Sequence, residues 1–545
     1  MPRLVIPFLL LTACADKGET PVDTAQVSDD TGAETDTEEP GCITVDGTGD
    51  YATINEAVAD AEEGSTIGLC ATEAHEEAVT LDKSVTLQGP GSGEFLLVAP
   101  TNESGITITA DGASVEGLSI ETTRSGIVVE GAADVSLSDL TVEDAGNWGV
   151  KVSDATDLVA TALSISGAGY GGMELAGGSA TVSDTTLADN TSYGFLVNEA
   201  SLSIQDCSVQ ATAATDAEDG YGLLAEDDSV VVAVDTDVTG SALANVVTVD
   251  SDLSLSGGTL DGSYYGVWNS YGAVDLSDMT VTDAYVLGVY AYTTEPITVS
   301  GLTVSGDLES TLEITDEDWG SDESGYRASG MLLVSDDVWI GTSTVSGYHG
   351  AGIVVAELED GQATLQQLTL SDNGRHGLYL IGTDATVEDT SVSGVVMVED
   401  QGDELCYYVD RYAGVVASEN QLTWSGGSLV DNDGYGITGV RATLDVTGVA
   451  VEGNTCGGVM NYEGYLEVSE SDFARSGYDS LQASVVFYES DGGRVESSFF
   501  DDAQTDYQSV TEYEDDDGTV SYVYDITAGF DIYARSTEEV TISDN

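Results

Sequence analysis

The sequence is poor in positive charge. Of its 545 residues only 12 are Lys or Arg and 3 are His, against 99 Asp and Glu, which gives a formal net charge of −87. Such a chain repels nucleic-acid phosphates and anionic lipid headgroups. The composition therefore excludes nucleic-acid binding and favours divalent cations or high salt as companions, although a solvating acidic coat without a ligand explains it equally well.

Proline and long apolar runs are also scarce. Seven prolines beside 64 glycines suit repeated turns in a strand-rich chain and exclude a collagen-like fold. The apolar run at residues 4–11 is too short to span a bilayer as a helix. It lies between Met-Pro-Arg and the tetrapeptide Leu-Thr-Ala-Cys that ends at Cys14, and these are the parts of a bacterial export signal.

The tetrapeptide resembles the lipobox of bacterial lipoproteins, which implies cleavage before Cys14 and lipidation of its thiol; an ordinary secretory signal is the alternative. Residues 15–40 are dominated by Asp, Glu, Thr and Gly, so they cannot bury enough apolar surface to fold. We therefore expect a signal peptide at 1–13, a disordered acidic tether at 14–40 and a folded domain at 41–545. The protein is expected at the outer membrane or cell surface, and in contact with a membrane only through its lipid.

A phrase of 22 or 23 residues recurs along the folded domain. Each copy has a glycine, an apolar-x-apolar strand, a second apolar phrase and a polar turn. Since side chains alternate along a strand, the apolar residues one and three positions after the glycine share an inner face. A fixed period of this length indicates stacked units, here a parallel β-solenoid. The strand glycines are Gly126, Gly149, Gly172, Gly194, Gly266, Gly288, Gly330, Gly352, Gly377, Gly414, Gly436 and Gly458.

The segment before the first coils predicts a capping helix. Thr53 and Glu56 have the spacing of a capping box, residues 54–61 place apolar side chains on one face, and Gly64 ends the helix. The stretches DGTGDY at 46–51 and TINEAV at 53–58 resemble the opening of the pectin lyase-like superfamily. The resemblance implies an all-β, right-handed, single-stranded parallel β-helix. It says little about function, because that superfamily includes lyases, hydrolases, esterases, adhesins and tail-spike proteins.

The catalytic motifs of that superfamily do not follow. No run matches the pectinesterases, only His349-Gly350 and His376-Gly377 hint at the Gly-His-Gly element of polygalacturonases, and Arg-x-Lys does not occur. The sequence therefore favours a non-catalytic protein that binds a polysaccharide or a surface protein. The competing hypothesis is a lyase or hydrolase similar to pectate lyases or polygalacturonases that acts on an acidic polysaccharide.

Metal-binding patterns are sparse. Asp316, Asp318 and Asp322 alternate as the ligands of calcium loops do, and residues 431–434 are similar, but neither run completes an EF-hand pattern. Three histidines without a pair at ligand spacing argue against zinc. Calcium is the one cofactor that the sequence suggests.

Insertions interrupt the period near residues 307–328, 395–412 and 503–527. All enter at the same corner, just before the next glycine strand, and insertions on one edge of a solenoid usually mark its working face. Their aromatic rings suit stacking against sugars, packing against a partner, or anchoring of the loops themselves. The candidate binding residues are Trp319, Tyr326, Tyr407, Tyr408, Tyr412 and Tyr513.

The scarce cations gather at that corner as well. They belong to four successive coils, and a strand spacing of about 4.8 Å predicts a stripe of roughly 14 Å. A stripe of this kind can hold an acidic sugar, supply an acid-base pair, or simply neutralise the carboxylates of the insertions. The candidate catalytic residues are Arg327, His349, Arg375, His376 and Arg411.

Polar turn residues are expected to specify the fold. Asn190, Asn373, Asn432 and Asn454 each stand four residues before a strand glycine, where Asn tolerates a left-handed backbone and stacks on its equivalents. The chain ends in half a coil without a capping helix. Either an insertion folds over this end, or another chain covers it, or the open edge is tolerated.

Five cysteines follow Cys14, and in an exported chain they are candidates for disulfides. Cys207 falls on an inward position and is expected to be a buried free thiol. For the other four, which allow three connectivities, we expect Cys42 to pair with Cys70 and Cys406 with Cys456.

Overall fold

A computed structural model of the chain describes residues 42–215, 219–307, 328–358, 361–396, 412–474, 483–501, 507–514, 520–526, 530–536 and 540–543. All of them belong to the second of the two units into which contacts divide the chain, Met1–Pro40 and Gly41–Asn545. Their strands pair coil upon coil and nearly always in parallel, so this unit is a β-solenoid of about 17 turns with one short helix. The predicted fold class is confirmed.

The helix α1 (Ile54–Asp60) lies at the N-terminal end, as the sequence predicts. Thr53 caps it by accepting a hydrogen bond from the backbone N–H of Glu56 at 3.1 Å, and the helix ends at Asp60, four residues before Gly64. The carboxylate of Glu77 accepts from two further backbone N–H groups of the first turn, at 2.7 and 2.9 Å. The apolar face packs against the first strands, which shields the end of the solenoid from water. In the described part of the chain no helix is long and apolar enough to cross a membrane.

The first coils follow this cap and pair in parallel from β2 onwards, whereas β1 is antiparallel to β2. The strands are β1 (Ile43–Val45), β2 (Thr66–Leu69), β3 (Thr72–Glu76), β4 (Val79–Leu81), β5 (Thr86–Gln88), β6 (Phe95–Val98), β7 (Ile106–Ile108), β8 (Ser114–Glu121), β9 (Ile127–Glu130) and β10 (Ser136–Glu143).

In the middle coils several strands run through a corner without a break. The strands are β11 (Trp148–Ser166), β12 (Gly171–Ser183), β13 (Thr186–Ala188), β14 (Tyr193–Gln205), β15 (Ser208–Gln210), β16 (Tyr221–Glu226), β17 (Val230–Val234), β18 (Asp237–Thr239), β19 (Ala244–Val249), β20 (Asp252–Ser256), β21 (Thr259–Ser270), β22 (Val274–Ser277), β23 (Thr280–Tyr292), β24 (Ile297–Ser300) and β25 (Thr303–Ser305).

The later coils each give three separate strands, which pair with their equivalents in the neighbouring coils and form, in chain order, the first, second and third sheets. They are β26 (Ser329–Val334), β27 (Asp337–Gly341), β28 (Thr344–Ser346), β29 (Ala351–Ala356), β30 (Gln362–Gln366), β31 (Thr369–Ser371), β32 (His376–Ile381), β33 (Asp384–Glu388), β34 (Ser391–Ser393), β35 (Ala413–Ser418), β36 (Gln421–Ser425), β37 (Ser428–Val430), β38 (Tyr435–Val440), β39 (Thr443–Thr447), β40 (Ala450–Glu452), β41 (Gly457–Tyr462), β42 (Tyr465–Ser469), β43 (Asp472–Ala474), β44 (Ala483–Ser490), β45 (Gly493–Glu496) and β46 (Phe499–Asp501).

The last described coil pairs with the preceding coil on one side and with the third insertion on the other. Its strands are β49 (Phe530–Ser536) and β50 (Val540–Ser543), which pair in parallel with β44 and β45. The third insertion supplies β47 (Tyr507–Glu514) and β48 (Val520–Ile526), an antiparallel pair. Strand β48 adds antiparallel to β49, so the insertion satisfies backbone groups on an otherwise open edge.

The first sheet contains the glycine strands, and their glycines are required by close packing. A Cβ atom on Gly126 would lie 2.5 Å from Cγ1 of Val142 and 2.6 Å from the carbonyl oxygen of Gly149 in the next coil. The side chains one and three positions later, such as Val150 and Val152, are fully buried in the interior cluster. The inner face predicted from the repeat is therefore the core of the solenoid.

The four turn asparagines are buried and hydrogen-bonded, but their predicted backbone conformation is wrong. None of them has a positive φ; the left-handed residue comes one position earlier, with φ of 53° at Asp431 before Asn432 and 70° at Gly453 before Asn454. The asparagine is instead needed for its inward-facing amide. Oδ1 of Asn432 accepts from the backbone N–H of Val395 in the preceding coil at 3.1 Å, and Nδ2 donates to the carbonyl of Val392.

At the neighbouring corner of the coil, hydroxyl groups accept the corresponding backbone hydrogen bonds. The Oγ1 atoms of Thr185 and Thr390 accept backbone N–H groups from the preceding coil at 3.3 Å, and Oγ of Ser471 accepts one at 3.2 Å. Buried backbone groups that leave a strand at a corner would otherwise have no partner. Short inward polar side chains are therefore part of the repeat.

Acidic residues have a structural place in these turns. Among the described residues, 33 non-glycine positions have a positive φ, and 18 of them are Asp. Asp is one of the few side chains that tolerate the left-handed region. Part of the acidic coat therefore follows from the turn geometry of the solenoid and needs no ligand.

The disulfides agree with the sequence where they are described. Cys42 and Cys70 are joined, with Cα atoms 4.9 Å apart, and Cys207 is a buried free thiol. Cys456 also takes part in a disulfide, and Cys406, its expected partner, lies outside the described residues.

Replacing Asn432 by Ala tests the amide ladder. The substitution leaves the Val395 N–H and the Val392 carbonyl without their partner in a fully buried corner, at a cost of about 1–3 kcal/mol for each unsatisfied group. We expect the urea midpoint of unfolding to fall by the equivalent of roughly 2 kcal/mol or more. Thr443→Ala, on the exposed side of a nearby strand, is the control; equal shifts for both variants would contradict this role.

Candidate functional site

Part of the cationic stripe lies outside the described residues, namely Arg327 and Arg411. The remaining members are on adjacent coils, because the backbone N–H of Arg375 donates to the carbonyl of Gly350 at 3.0 Å. Among the described ion pairs none involves Arg375. The structure thus places His349 and Arg375 on neighbouring coils, as the spacing predicts, but it does not assemble a catalytic pair with His376.

His376 is in the wrong place for an acid or base. Its side chain is 3% exposed and packs edge-on against Tyr379, with ring centroids 5.1 Å apart. Burial, together with the charge of Arg375, lowers the pKa of His376 to about 3. The ring is therefore neutral at ordinary pH, and its burial keeps it out of reach of a ligand. The candidate catalytic role of His376 does not fit this environment.

Most of the candidate binding residues on the insertions fall outside the structural description, so their role stays a prediction. Trp319, Tyr326, Tyr407 and Tyr408 lie outside the described residues, and so do Asp316, Asp318, Asp322 and the lipidation candidate Cys14. Tyr513 lies on β47, where only the backbone is described. Tyr412 is 4% exposed, so its ring fits the anchoring role better than a binding role.

No metal centre is formed within the described ranges. In them no group of three or more His, Cys, Asp or Glu side chains is placed to hold a metal ion. The candidate run at 431–434 is used for folding, since Asp431 supplies the left-handed turn and Asn432 the buried amide.

An apolar surface on the outside of the first sheet is the feature that the sequence analysis missed. Side chains one position before and two positions after the strand glycine point away from the core and form their own cluster. In the coils from 148 to 292 many of these side chains are aromatic, and further rings stand on both rims of the sheet. We call this surface the aromatic face; it comprises Trp148, Tyr170, Tyr193, Tyr221, Tyr264, Tyr265, Trp268, Tyr271, Tyr285, Tyr290 and Tyr292.

The rings of the aromatic face are packed against one another in two runs. In the first, Trp148 stacks on Tyr193 across the intervening Gly171, and Tyr193 stacks on Tyr221 of the next coil, with centroids 6.0 and 6.1 Å apart. In the second, Trp268 contacts Tyr265 at 4.7 Å and Tyr290 at 5.2 Å in edge-to-face geometry. Parallel strand pairing therefore fixes the spacing of the rings along the solenoid.

The rims leave aromatic surface open to solvent. Tyr170, Tyr264 and Tyr285 are 45%, 42% and 41% exposed at one edge of the sheet, and Tyr271 is 55% exposed at the other. Exposed apolar surface that is grouped on one side of a protein is a candidate interaction surface. The central rings are less exposed than those at the rims, and Trp148 and Tyr265 are buried against their neighbours.

Carboxylates lie near the aromatic face. Burial, with contributions from Tyr170, Asp219 and Glu226, raises the pKa of Tyr193 to about 12, so its hydroxyl stays protonated. Burial and the neighbouring Asp227 raise the pKa of Glu226 above its ordinary value. Next to Tyr271 a surface groove of about 300 Å³ is lined by further acids, among them Asp228, Asp250, Asp252 and Glu295.

Comparison with known proteins bears on the fold. Residues 104–260 match the family model of the right-handed β-helix region. The chain is a right-handed parallel β-helix protein. This matched segment contains the first run of the aromatic face, and the same coil geometry continues beyond it on both sides.

Several solved structures resemble the β-helix. The catalytic domain of a GH87 α-1,3-glucanase in complex with nigerose is 12% identical, with 62% of each chain covered and a TM-score of 0.25. The periplasmic alginate epimerase AlgG is 9% identical over 80% of this chain and 85% of its own, with a TM-score of 0.29. The N-terminal fragment of bacteriophage Phi29 gene product 12 is 10% identical over 87% and 93%, with a TM-score of 0.40. No curated protein matches the sequence, so function has to be argued from the residues of this chain.

The low pKa of His376 predicts a pH-dependent stability. Between about pH 3 and pH 6.5 the unfolded chain binds a proton at this ring and the native β-helix does not, so stability falls as the pH drops through that window. We expect acidification from about pH 7 to pH 4 to cost the wild type roughly 2–3 kcal/mol more than His376→Ala. Urea unfolding of both proteins at the two pH values measures the difference; an equal loss in both would contradict the neutral buried ring.

Proposed function

We propose that this chain is an extracytoplasmic, non-catalytic glycan-binding protein and that the aromatic face of its β-helix is the binding surface. The observation that supports the proposal is the two runs of mutually packed rings from Trp148 to Tyr292, with tyrosines exposed at both rims. Aromatic rings offer flat apolar area with a polar edge, which suits the faces and hydroxyl groups of sugar rings.

The shape of the face favours a chain-like ligand. The rings of the first run stand in one row along the solenoid axis. Trp148 and Tyr193 are two coils apart and Tyr193 and Tyr221 one coil apart, with neighbouring coils about 4.8 Å apart. A linear polymer that lies along this axis contacts one coil after another. Many weak contacts then add up without the deep pocket that a small ligand needs.

A binding role fits the described residues better than catalysis. A glycoside hydrolase needs two carboxyl groups placed on opposite sides of a scissile bond, with one of them able to donate a proton. Glu226, next to the aromatic face, has a raised pKa. The largest cause of this shift is burial and not a second carboxyl group of a catalytic pair. The enzyme hypothesis retains the cationic stripe, of which His376 is too buried to take part.

The lipid anchor completes the proposal. The lipobox resemblance at Cys14 and the acidic segment 15–40 support a flexible tether that holds the β-helix outside the cell or in the periplasm. A tethered binding surface can engage long polymers at a distance from the membrane.

Removal of single rings tests the binding surface. Trp268→Ala and Tyr290→Ala each delete a ring that stands in the second run, at positions where their side chains are only partly buried. We expect each to weaken binding to polysaccharides retained by the wild type at least threefold, or about 0.7 kcal/mol or more. Affinity electrophoresis in gels containing the polysaccharide measures this loss.

The matched control for the rings is Tyr465→Ala. Tyr465 is 37% exposed, but it lies on the second sheet, away from the aromatic face. Its removal is expected to leave retention unchanged. Equal loss in the control, or no retention of the wild type by any glycan tested, would refute binding at the aromatic face.

Cys14→Ser tests the anchor independently of binding. The substitution removes the thiol that would carry lipid, so the chain should pass from the membrane fraction to the soluble fraction of cells and no longer incorporate a labelled fatty acid. Labelling of the wild type that persists in the variant would show that Cys14 is not the acceptor.

A further inference from the structure

The charge around the aromatic face is of one sign. From Val152 to Asp307 the sequence has 23 Asp and Glu and no Lys, Arg or His. The one cation on the aromatic face in the described coils, Lys151, is paired with Glu174, which stands opposite it in the next coil. No positive charge on this stretch is therefore left to attract an anion.

Two of these carboxylates act electrostatically on a ring of the first run. Tyr193, in the middle of the first run, is close enough to Asp219 and Glu226 for both charges to act on its hydroxyl. Asp219 is satisfied by hydrogen bonds from Ser192 and Thr215, but no described ion pair involves Glu226. At the other rim, Tyr271 shares a groove with four acids. Rings flanked by carboxylates are a setting in which a cationic group gains from both charge and the ring face.

We propose that the aromatic face selects an amine-bearing polysaccharide, that is, a polymer of amino sugars, over uncharged and acidic ones. This inference rests on the proposed glycan binding and adds the chemical class of the ligand. Protonated amines on successive sugars pair with carboxylates beside the rings, while the sugar faces stack on the rings. A uronate polymer meets only charges of its own sign.

Four β-1,4-linked hexasaccharides that differ in one substituent test the class of ligand. They are built of glucose, N-acetylglucosamine, glucosamine and glucuronate, and each is titrated into the full-length wild-type protein by calorimetry at pH 6. At that pH ordinary carboxylates, with pKa values near 4, are ionised and the sugar amines are mostly protonated. We expect the glucosamine hexamer to bind on the order of 10-fold more tightly than the glucose hexamer at low salt.

Salt provides a second reading of the same experiment. Electrostatic attraction is screened over about 10 Å at 0.1 M ionic strength, so the advantage of the glucosamine hexamer should shrink as salt is added. The glucuronate hexamer should be the weakest ligand at low salt. If glucuronate binds best, or glucose and glucosamine bind equally, the charge selection is wrong while glycan binding stands. If none of the four binds, the proposed function fails as well.

A matched pair of variants distinguishes the face from the acidic coat as a whole. Glu226→Gln removes a charge beside Tyr193, and Asp275→Asn removes an exposed charge from the second sheet of a nearby coil. We expect Glu226→Gln to weaken the glucosamine hexamer about threefold and to leave the glucose hexamer unchanged, with no effect of Asp275→Asn on either. Equal losses in both variants would mean that the amine binds the coat at large and would overturn the proposal.

Discussion

The structure depends on how each coil closes its corners against the next. Strands in register satisfy their own backbone groups, but at a corner the chain leaves the ladder and its buried N–H and carbonyl groups need other partners. Asn432 and Asn454 meet this need with inward-facing amides, and Thr185 and Thr390 do so with hydroxyl groups. The left-handed residue just before each turn asparagine lets the chain bend inward, which is why Asp and Gly recur there.

These constraints leave the outer side of the sheets free to vary. The glycine and the apolar residues one and three positions after it are fixed by the interior, as the contacts at Gly126 show. The residues one position before and two positions after the glycine are not fixed in this way. In the row two positions after the glycine, the side chains change from Lys151 and Glu174 to Trp268 and Tyr290. Residues at these outward positions can therefore form a binding surface without changing the core of the solenoid. The central rings of the aromatic face occupy such positions, so the strand register decides which of them stand above one another.

The sequence was a good guide wherever a physical requirement repeats. The period, the inner face, the helix capped by Thr53 and the Cys42–Cys70 disulfide could be predicted because each depends on local spacing. The predicted conformation of the turn asparagines is wrong. Asn tolerates a left-handed backbone, but here its side chain makes an inward hydrogen bond and the preceding residue adopts the left-handed conformation. The role of β48 in covering the edge of β49 could not be foreseen, because it depends on where an insertion returns in space.

The candidate site was harder to predict, and the reason lies in the same repeat. The long insertions and the rare cations beside them are the irregularities that the sequence shows most clearly. Among those cations, however, His376 is buried and neutral. The signal for the aromatic face was present in strand phrases such as Tyr265-Gly266-Val267-Trp268, where Tyr265 and Trp268, one before and two after the glycine, face outward. Those outward residues become a surface only when coils are stacked, so no single phrase reveals it. Some of the surrounding acids follow from turn geometry.

The five tryptophans of the chain offer the most direct test, because they sample different surfaces. Trp148 and Trp268 lie on the aromatic face, Trp339 is exposed on the second sheet, Trp424 is fully buried, and Trp319 belongs to the first insertion. Fluorine NMR of the 5-fluorotryptophan-labelled protein, titrated with a glycan that it binds, reports on each of them separately. Binding at the aromatic face predicts that the resonances of Trp148 and Trp268 shift while those of Trp339 and Trp424 stay fixed. A shift of Trp319 with Trp148 and Trp268 unchanged would place the binding surface on the insertions and contradict the account.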